Sequence, residues 1–296
     1  MNQHRIARRS ALLGVGGILG LALSGCATAR PVAPGSSRVT ADPHPREVAP
    51  ADPPAAAAPA APPLPDVEAI IAAHEGRAPS QWGTDIPGVI RTGGEAGLDP
   101  AAVYLTLDAC GGSAGSGFDA PLIEGLTAAA VPATLFLNHG WIAANYQLAA
   151  ALAANPLFSI QNHGTRHLPL SVNGSSAYGI PGTASVREVA LEVWENHVAL
   201  TELTGVAPRW FRPGTAHLDD VALSVSTALG ERIAGFAING DGGATLPAHS
   251  VTVAVGAAAG GEIVIAHMNQ PGSGTAAGIL AAVQQLRDRG LSFGVL

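Results

Sequence analysis

The chain has 296 residues, a length that leaves room for one folded domain of ordinary size. Its net charge is −7. All 15 basic residues are arginine, which excludes a Schiff-base lysine and a lysine-dependent phosphate loop. The acidic balance and the 4% content of aromatic residues argue against nucleic-acid binding.

Residues 1–25 are predicted to be a signal peptide with a lipobox, not part of the fold. A basic start that contains Arg8-Arg9 precedes an uncharged apolar stretch, 11–23, shorter than the ~20 residues of a membrane-spanning helix. The stretch ends in Leu23-Ser24-Gly25-Cys26, which resembles a bacterial lipobox, and Arg8-Arg9 resembles a twin-arginine export signal. We therefore expect a lipid on Cys26 and a protein anchored in the bacterial cell envelope, facing the periplasm or the exterior. An ordinary signal peptide is the alternative.

Residues 26–66 are rich in alanine and proline and contain few bulky apolar side chains. Such a segment cannot bury enough surface to fold, so we expect an extended tether. Cys110 is then the single free cysteine of the mature chain, and no intramolecular disulfide can form. Residues 67–100 are predicted to be a lead-in that packs on the main domain, 101–296.

Apolar runs and helical patterns alternate from residue 101 onward. The clearest helix is predicted over 185–204, where Ser185 and Glu188 form a capping box and Gly205 ends the helix. Two further helices are predicted, one over 275–289 and one that Asp219 caps. Seven strands are predicted between the helices: 103–108, 133–138, 158–163, 209–213, 233–239, 262–267 and 292–296. This alternation predicts an α/β fold with a parallel sheet, either open or closed into a barrel.

Polar side chains follow the ends of these predicted strands: Asp108, His163, Arg212, Asn239 and His267. The carboxyl ends of parallel strands meet on one side of the sheet, so we expect these groups to share one site. His163 and His167, four residues apart, could converge on one cation such as zinc. The combination suits hydrolysis of an acyl bond by a metal, a carboxylate base, an imidazolium acid and an arginine that orients the carboxylate. A backbone N–H in the Gly214-Thr215 turn could stabilise the oxyanion.

The order of these segments resembles the polysaccharide deacetylases with a NodB-homology domain, carbohydrate esterase family 4. The resemblance covers about residues 100–296. Five segments carry it: Thr106-Leu107-Asp108-Ala109, His163-Gly164-Thr165-Arg166-His167, Arg212-Pro213-Gly214-Thr215, Asn239-Gly240-Asp241 and Ile263–His267. It implies a distorted (β/α) barrel with about seven parallel strands and metal-dependent removal of acetyl groups from a polysaccharide.

The resemblance also implies a role for each matching residue. Asp108 is the expected base and Arg212 the residue that orients it. His267 is the expected acid, and Asp241 would tune it. His163 and His167 are the expected metal ligands, with zinc the expected metal.

One departure concerns the metal. The second aspartate of the first family motif, a metal ligand, is Ala109 here, while a catalytic zinc normally has three protein ligands. We assign Asp108 as the third ligand. Cys110, bound waters, the weaker candidates Asp119 and Glu124, or a reaction without metal are the alternatives. A second departure is Thr215, which replaces the tyrosine of the third motif.

The predicted function is therefore hydrolytic deacetylation of an envelope or extracellular polysaccharide by a monomeric lipoprotein. The alternatives are a glycan-binding lipoprotein without activity and a C–N hydrolase of small amides. The loop 168–184, which contains Tyr178, is expected to line the binding cleft. His139, His217 and His249 match no motif and are expected to have surface or capping roles.

Overall fold

The computed structural model describes residues 64–296. The predicted signal peptide, the lipidation site Cys26 and nearly all of the Ala/Pro-rich tether lie outside this range. Within it, no helix combines the length and the apolar character that crossing a bilayer requires.

Helices and short strands alternate along residues 64–296. The helices are α1 (Val67–His74), α2 (Gly93–Ala96), α3 (Ala120–Ala128), α4 (His139–Ala144), α5 (Tyr146–Ala153), α6 (Val186–Thr204), α7 (Asp220–Ala228), α8 (Ala248–Gly256) and α9 (Thr275–Asp288). The strands are β1 (Trp82–Gly83), β2 (Val103–Ala109), β3 (Ala133–Leu137), β4 (Phe158–Asn162), β5 (Trp210–Phe211), β6 (Leu218–Asp219), β7 (Arg232–Ile233), β8 (Ile238–Asn239), β9 (Ile263–His267) and β10 (Phe293–Gly294).

The main sheet is parallel throughout and confirms the predicted α/β fold with a distorted barrel. Its strands follow the order β7-β5-β4-β3-β2-β9-β8, and β10 pairs with the start of β2. Every residue of β2 and β3 is buried, as expected for central strands covered on both faces. The active groups therefore have a rigid base at the carboxyl ends of these strands.

The predicted helix boundaries follow from capping. The Ser185 side chain accepts a hydrogen bond from the Glu188 N–H, and the Glu188 carboxylate reaches back to the Ala184 N–H. Gly205 ends α6 with φ of 73°, a left-handed conformation that favours glycine. Asp219 caps α7 by accepting from the Ala222 N–H at 2.7 Å.

The prediction of one strand over residues 233–239 is wrong. The segment forms two separate strands, since β7 pairs with β5 whereas β8 pairs with β9 near the other end of the sheet. Between them, the carbonyls of Ala234 and Gly235 accept hydrogen bonds from the Arg212 side chain. The backbone crosses here from β7 at one edge of the sheet to β8 at the other, and on the way its carbonyls bind the buried Arg212 guanidinium. The apolar sequence pattern does not reveal this contact.

The lead-in spans the gap between the two edges of the sheet. Ile90 forms a parallel bridge with Ala234 beside β7, and Thr92 forms an antiparallel bridge with Glu262 beside β9. Further along the surface, β1 pairs with β6, and α1 contacts α6 and α7. Residues 67–100 therefore pack on the main domain and close the barrel where the long strands do not meet.

Candidate active site

The ends of β2, β4 and β9 open into one cleft of about 460 Å³. Asp108, His163 and His267 line it, and each lies at or directly after the end of its strand. The remaining lining residues come from the lead-in, from the segments after β2, β4, β5 and β7, and from β8, the loop after it and β9: Thr84, Cys110, His167, Tyr178, Thr215, Ala216, His217, Phe236, Asn239, Gly242, Gly243 and Ile265.

Asp108 is buried and paired with Arg212, which is also buried. The Arg212 guanidinium donates to Asp108 Oδ1 at 2.7 Å and to Thr106 Oγ1 at 2.8 Å. Burial opposes ionisation of Asp108, but the Arg212 guanidinium, with the neighbouring His163 and His267 rings, holds the pKa of its carboxyl below the usual value. Asp108 therefore faces the cleft as a carboxylate.

The Arg212 side chain is fixed by four hydrogen bonds and one aromatic ring. Besides Asp108 and Thr106, it donates to the carbonyls of Ala234 and Gly235 at 3.1 and 3.0 Å. Its guanidinium also lies 4.3 Å from the centre of the Phe136 ring. This side chain orients Asp108 and does not itself line the cleft.

His163 is oriented by a backbone carbonyl. Its Nδ1 lies 2.8 Å from the carbonyl oxygen of Arg212, which can only accept, so Nδ1 carries the proton. In the neutral ring the Nε2 atom is then a free acceptor, and it lies 3.6 Å from Asp108 Oδ2. His163 therefore presents a lone pair to the cleft, as a metal ligand requires.

The loop between the two histidines is held by a buried carboxylate, Glu192. Its oxygens accept hydrogen bonds from the backbone N–H groups of Arg166 and Leu168. This turn places His167 at φ of 62° and brings its ring to 4.7 Å from the ring of His163. A side chain at Gly164 would collide with Glu192, since a Cβ there would lie 2.5 Å from Oε1.

His267 is paired with the buried carboxylate of Asp241. His267 Nδ1 donates to Asp241 Oδ1 at 2.9 Å, and Asp241 Oδ2 accepts from the His267 N–H at 2.7 Å and from the Thr275 hydroxyl at 3.0 Å. Burial opposes protonation of His267, but Asp241, with Cys110 and Asp108, raises its pKa well above the usual value. His267 is therefore an imidazolium whose Nε2–H is available to the cleft.

Cys110 completes a cluster with the two histidines. Its Sγ lies 3.8 Å from His163 Nε2, and the ligand atoms of Cys110, His163 and His167 all lie within 4.8 Å of one another. Among residues 64–296 this is the one group of three side chains that meets the requirement for a shared metal. Asp108, which the sequence predicted as third ligand, contacts His163 but does not belong to this group.

The donor atoms of this cluster fit a divalent metal such as zinc. Zinc in proteins is bound by cysteine thiolate and by imidazole nitrogen, and catalytic sites use three protein ligands. A sulfur and a nitrogen that share a zinc at ~2.3 and ~2.0 Å in tetrahedral geometry lie roughly 3.5 Å apart. The separation of 3.8 Å between Cys110 and His163 needs little movement to meet this geometry.

The other predicted candidates take structural roles. Asp119 caps α3 through the Leu122 N–H, and Glu124 lies on the exposed face of the same helix. Asn239 lines the cleft, but its side chain accepts from the Gly242 N–H. Thr215 adopts φ of 63° in the turn after Arg212, and its hydroxyl is buried without a partner among residues 64–296.

Two contributors to the cleft, Thr84 and His217, were missed or assigned elsewhere. Thr84 comes from the lead-in, which carries no catalytic pattern. His217 was expected to have a surface or capping role, but it lines the cleft, with its ring 5.8 Å from that of Trp82 and 5.3 Å from that of Tyr178, measured between ring centres. Tyr178 lines the cleft, as predicted for its loop, and this residue is 83% exposed.

Residues 96–234 match the family model described as polysaccharide deacetylase. This segment, slightly less than half of the chain, is similar to polysaccharide deacetylases. Asp108, His163, His167 and Arg212 lie inside the matched segment, whereas Asp241 and His267 lie beyond it. The structure brings residues from both parts to one cleft. A search of curated proteins gave no significant match.

Solved structures of carbohydrate esterase family 4 (CE4) share the fold of this chain. A CE4 pseudoenzyme from Bacillus anthracis is 19% identical, with a TM-score of 0.56 over 66% of this chain and 64% of that chain. A family 4 carbohydrate esterase from Streptomyces lividans, in complex with acetate, is 21% identical, with a TM-score of 0.54 over 67% and 94%. A family 4 acetyl xylan esterase from Clostridium thermocellum, with a cobalt ion, is 19% identical, with a TM-score of 0.53 over 66% and 87%. The chain thus spans slightly less than two thirds of the pseudoenzyme.

Proposed function

We propose that this protein is a metal-dependent deacetylase that removes acetyl groups from a polysaccharide of the bacterial envelope, where a lipid on Cys26 anchors it. One observation carries the proposal. A carboxylate, Asp108, and an imidazolium, His267, face the same cleft, each fixed by its own buried partner. Neighbouring groups whose surroundings lower the pKa of a base and raise the pKa of an acid are typical of a hydrolytic site.

The residues supply a complete proton path. Asp108 takes the proton of the water that attacks the acetyl carbonyl carbon, and Arg212 keeps Asp108 ionised for this step. The bond from the carbonyl carbon to the sugar nitrogen or oxygen then breaks, and His267 Nε2 donates the proton that the leaving group needs. The products are acetate and a free amine or hydroxyl on the glycan.

His163 and His167 would hold the metal in this cleft. When bound, the metal supplies Lewis acidity toward the acetyl carbonyl. Thr215 lies in the turn that lines the cleft, where its backbone N–H is a candidate donor to the oxyanion. An open cleft with the exposed Tyr178 at its wall suits a polymer, whose sugar rings can pack against an aromatic face.

Acetate release from acetylated glycans tests this proposal. The full chain is incubated with peptidoglycan or with chitin fragments, and released acetate is measured. We expect Asp108→Asn and His267→Gln to lower kcat by roughly 10²–10⁴-fold, the usual contribution of a general base or acid. His163→Ala should also abolish activity. His249→Ala is the matched control, because His249 is exposed on α8 and does not line the cleft. Absence of acetate from every glycan would refute the proposal.

A glycan-binding protein without activity is the second candidate, and Ala109 favours it. This residue has no donor atom where the resembling family has a metal ligand, and one solved neighbour is a CE4 pseudoenzyme. This candidate predicts saturable binding of an acetylated glycan without release of acetate and with no dependence on metal. Identical binding by wild type and His163→Ala, with no turnover by either, would favour it.

A further inference from the structure

We propose that Cys110 is the third protein ligand of the metal, so that a thiolate replaces the carboxylate that Ala109 lacks. This inference rests on the proposed metal dependence and adds the identity of the missing ligand. A resident metal would then be held by one sulfur and two imidazole nitrogens.

The alternation of side chains along β2 explains why residue 110 and not residue 109 reaches the metal. Successive side chains of a strand point to opposite faces, so residues two apart share a face. Leu107 and Ala109 belong to the apolar core on one face of the sheet, and Ala109 is fully buried there. Asp108 lines the cleft on the opposite face, and Cys110, two residues later, lines it too.

The turn after β2 keeps Cys110 in this position. Gly111 follows it with φ of 75°, in the left-handed region that favours glycine. A Cβ on Gly111 would lie 2.8 Å from both Asn138 Oδ1 and the Trp141 nitrogen, so the backbone packs tightly against the start of α4. The chain therefore turns sharply at residue 111 and leaves the thiol of Cys110 facing the histidines.

The facing atoms are those that a metal would need. The carbonyl of Arg212 fixes the proton of His163 on Nδ1, which leaves the Nε2 lone pair pointing toward Cys110 Sγ at 3.8 Å. His167 brings a second imidazole within 4.8 Å of both atoms. Metal binding would displace the thiol proton to solvent and form the sulfur–metal bond.

A thiolate ligand predicts a preference among metals. Soft sulfur donors favour zinc and other late transition metals, whereas magnesium and calcium favour oxygen ligands. We therefore expect this site to bind zinc or cobalt and to ignore a large excess of magnesium.

Cobalt(II) absorption tests the ligand directly. The metal-free full chain is titrated with cobalt(II), and a sulfur-to-cobalt charge-transfer band is expected in the near ultraviolet. Cys110→Ser should remove the band and weaken zinc binding by more than the roughly 10–100-fold that loss of a residue outside the coordination shell costs. Cys110→Asp should bind cobalt without the band, which covers the case that the serine variant fails to fold. Cys26→Ser is the matched cysteine control and should keep the band.

The outcomes separate this inference from the proposed function. Cobalt bound without the band, in a protein that still releases acetate, would overturn the role of Cys110 and leave the deacetylase standing. A band that survives in Cys110→Ser would also overturn it. Failure to bind cobalt or zinc at all would overturn both this inference and the metal dependence.

Discussion

Replacing Arg212 by methionine should severely destabilise the protein. Methionine can occupy much of the same volume beside Phe136, so the change removes the charge and the hydrogen bonds and leaves an apolar side chain of similar length. Asp108 would then remain buried without its cationic partner.

The magnitude follows from the contacts that are lost. Removing one partner of a buried ion pair costs roughly 3–5 kcal/mol, because the other charge stays buried. The carbonyls of Ala234 and Gly235 also lose their donors, and each orphaned buried acceptor adds about 1 kcal/mol or more. The sum is a large part of the 5–15 kcal/mol that typically stabilises a domain.

Urea unfolding followed by tryptophan fluorescence measures this loss, since the chain has four tryptophans. Four proteins form the cycle: wild type, Arg212→Met, Asp108→Asn and the double variant. We expect the double variant to be more stable than the sum of the two single losses predicts, with a coupling energy of about 2 kcal/mol. Arg212→Lys is the matched control, because it keeps the positive charge and loses only the planar fork.

Two results would refute this reasoning. One is a cost of less than about 1 kcal/mol for Arg212→Met, which would mean that Asp108 is not ionised or not isolated from water. The other is strict additivity in the cycle, which would mean that the two side chains do not interact energetically despite their separation of 2.7 Å.

Three further predictions concern residues behind the cleft. Asp241→Asn should lower the pKa of His267, which Asp241 raises against the effect of burial, so the alkaline limb of the kcat/KM profile should move to lower pH; an unchanged profile would contradict this. Glu192→Gln should weaken zinc binding by roughly 10–100-fold, because one of the two carboxylate oxygens that hold the loop before His167 is replaced by an NH2 group that donates. Competition with a chelator measures this loss, and Glu195→Gln, on the same helix, is the control. Burial raises the pKa of Glu231 from its ordinary value of 4.5 to about 7. Between these two pH values the folded protein therefore binds a proton that the unfolded chain releases. The stability that this group contributes is lost as the pH rises through that window. Glu231→Gln should remove this pH-dependent change of ~3 kcal/mol, measured by urea unfolding at both ends of the window, and equal slopes for the two proteins would count against it.

The site residues were predictable mainly because they follow the carboxyl ends of parallel strands. Asp108, His163 and His267 follow apolar runs, and parallel strands bring such positions together whatever the loops do between them. Helix boundaries were predictable for a similar reason, since Ser185 and Gly205 act through local hydrogen bonds and backbone conformation.

Features that depend on long-range contacts were not predictable. Residues 233–239 form two strands, and between these the carbonyls of Ala234 and Gly235 accept hydrogen bonds from Arg212. No local sequence pattern shows these long-range hydrogen bonds. The direction of the Cys110 side chain depends on where β2 ends and on the turn at Gly111. His217 joins the cleft through a pairing of two-residue strands, β1 and β6, too short to leave a periodic signal.

The bridges formed by Ile90 and Thr92 show that residues before the segment that matches the deacetylase family also pair with the main sheet. The match begins at residue 96, after both bridges, while the backbone beside Ala234 and Glu262 depends on them for hydrogen bonding. A chain that began at residue 96 would expose two sheet edges with unpaired N–H and C=O groups, which invite pairing with other molecules. It would also lose Thr84 from the cleft. The lead-in therefore pairs with both edges of the main sheet and forms part of the cleft wall.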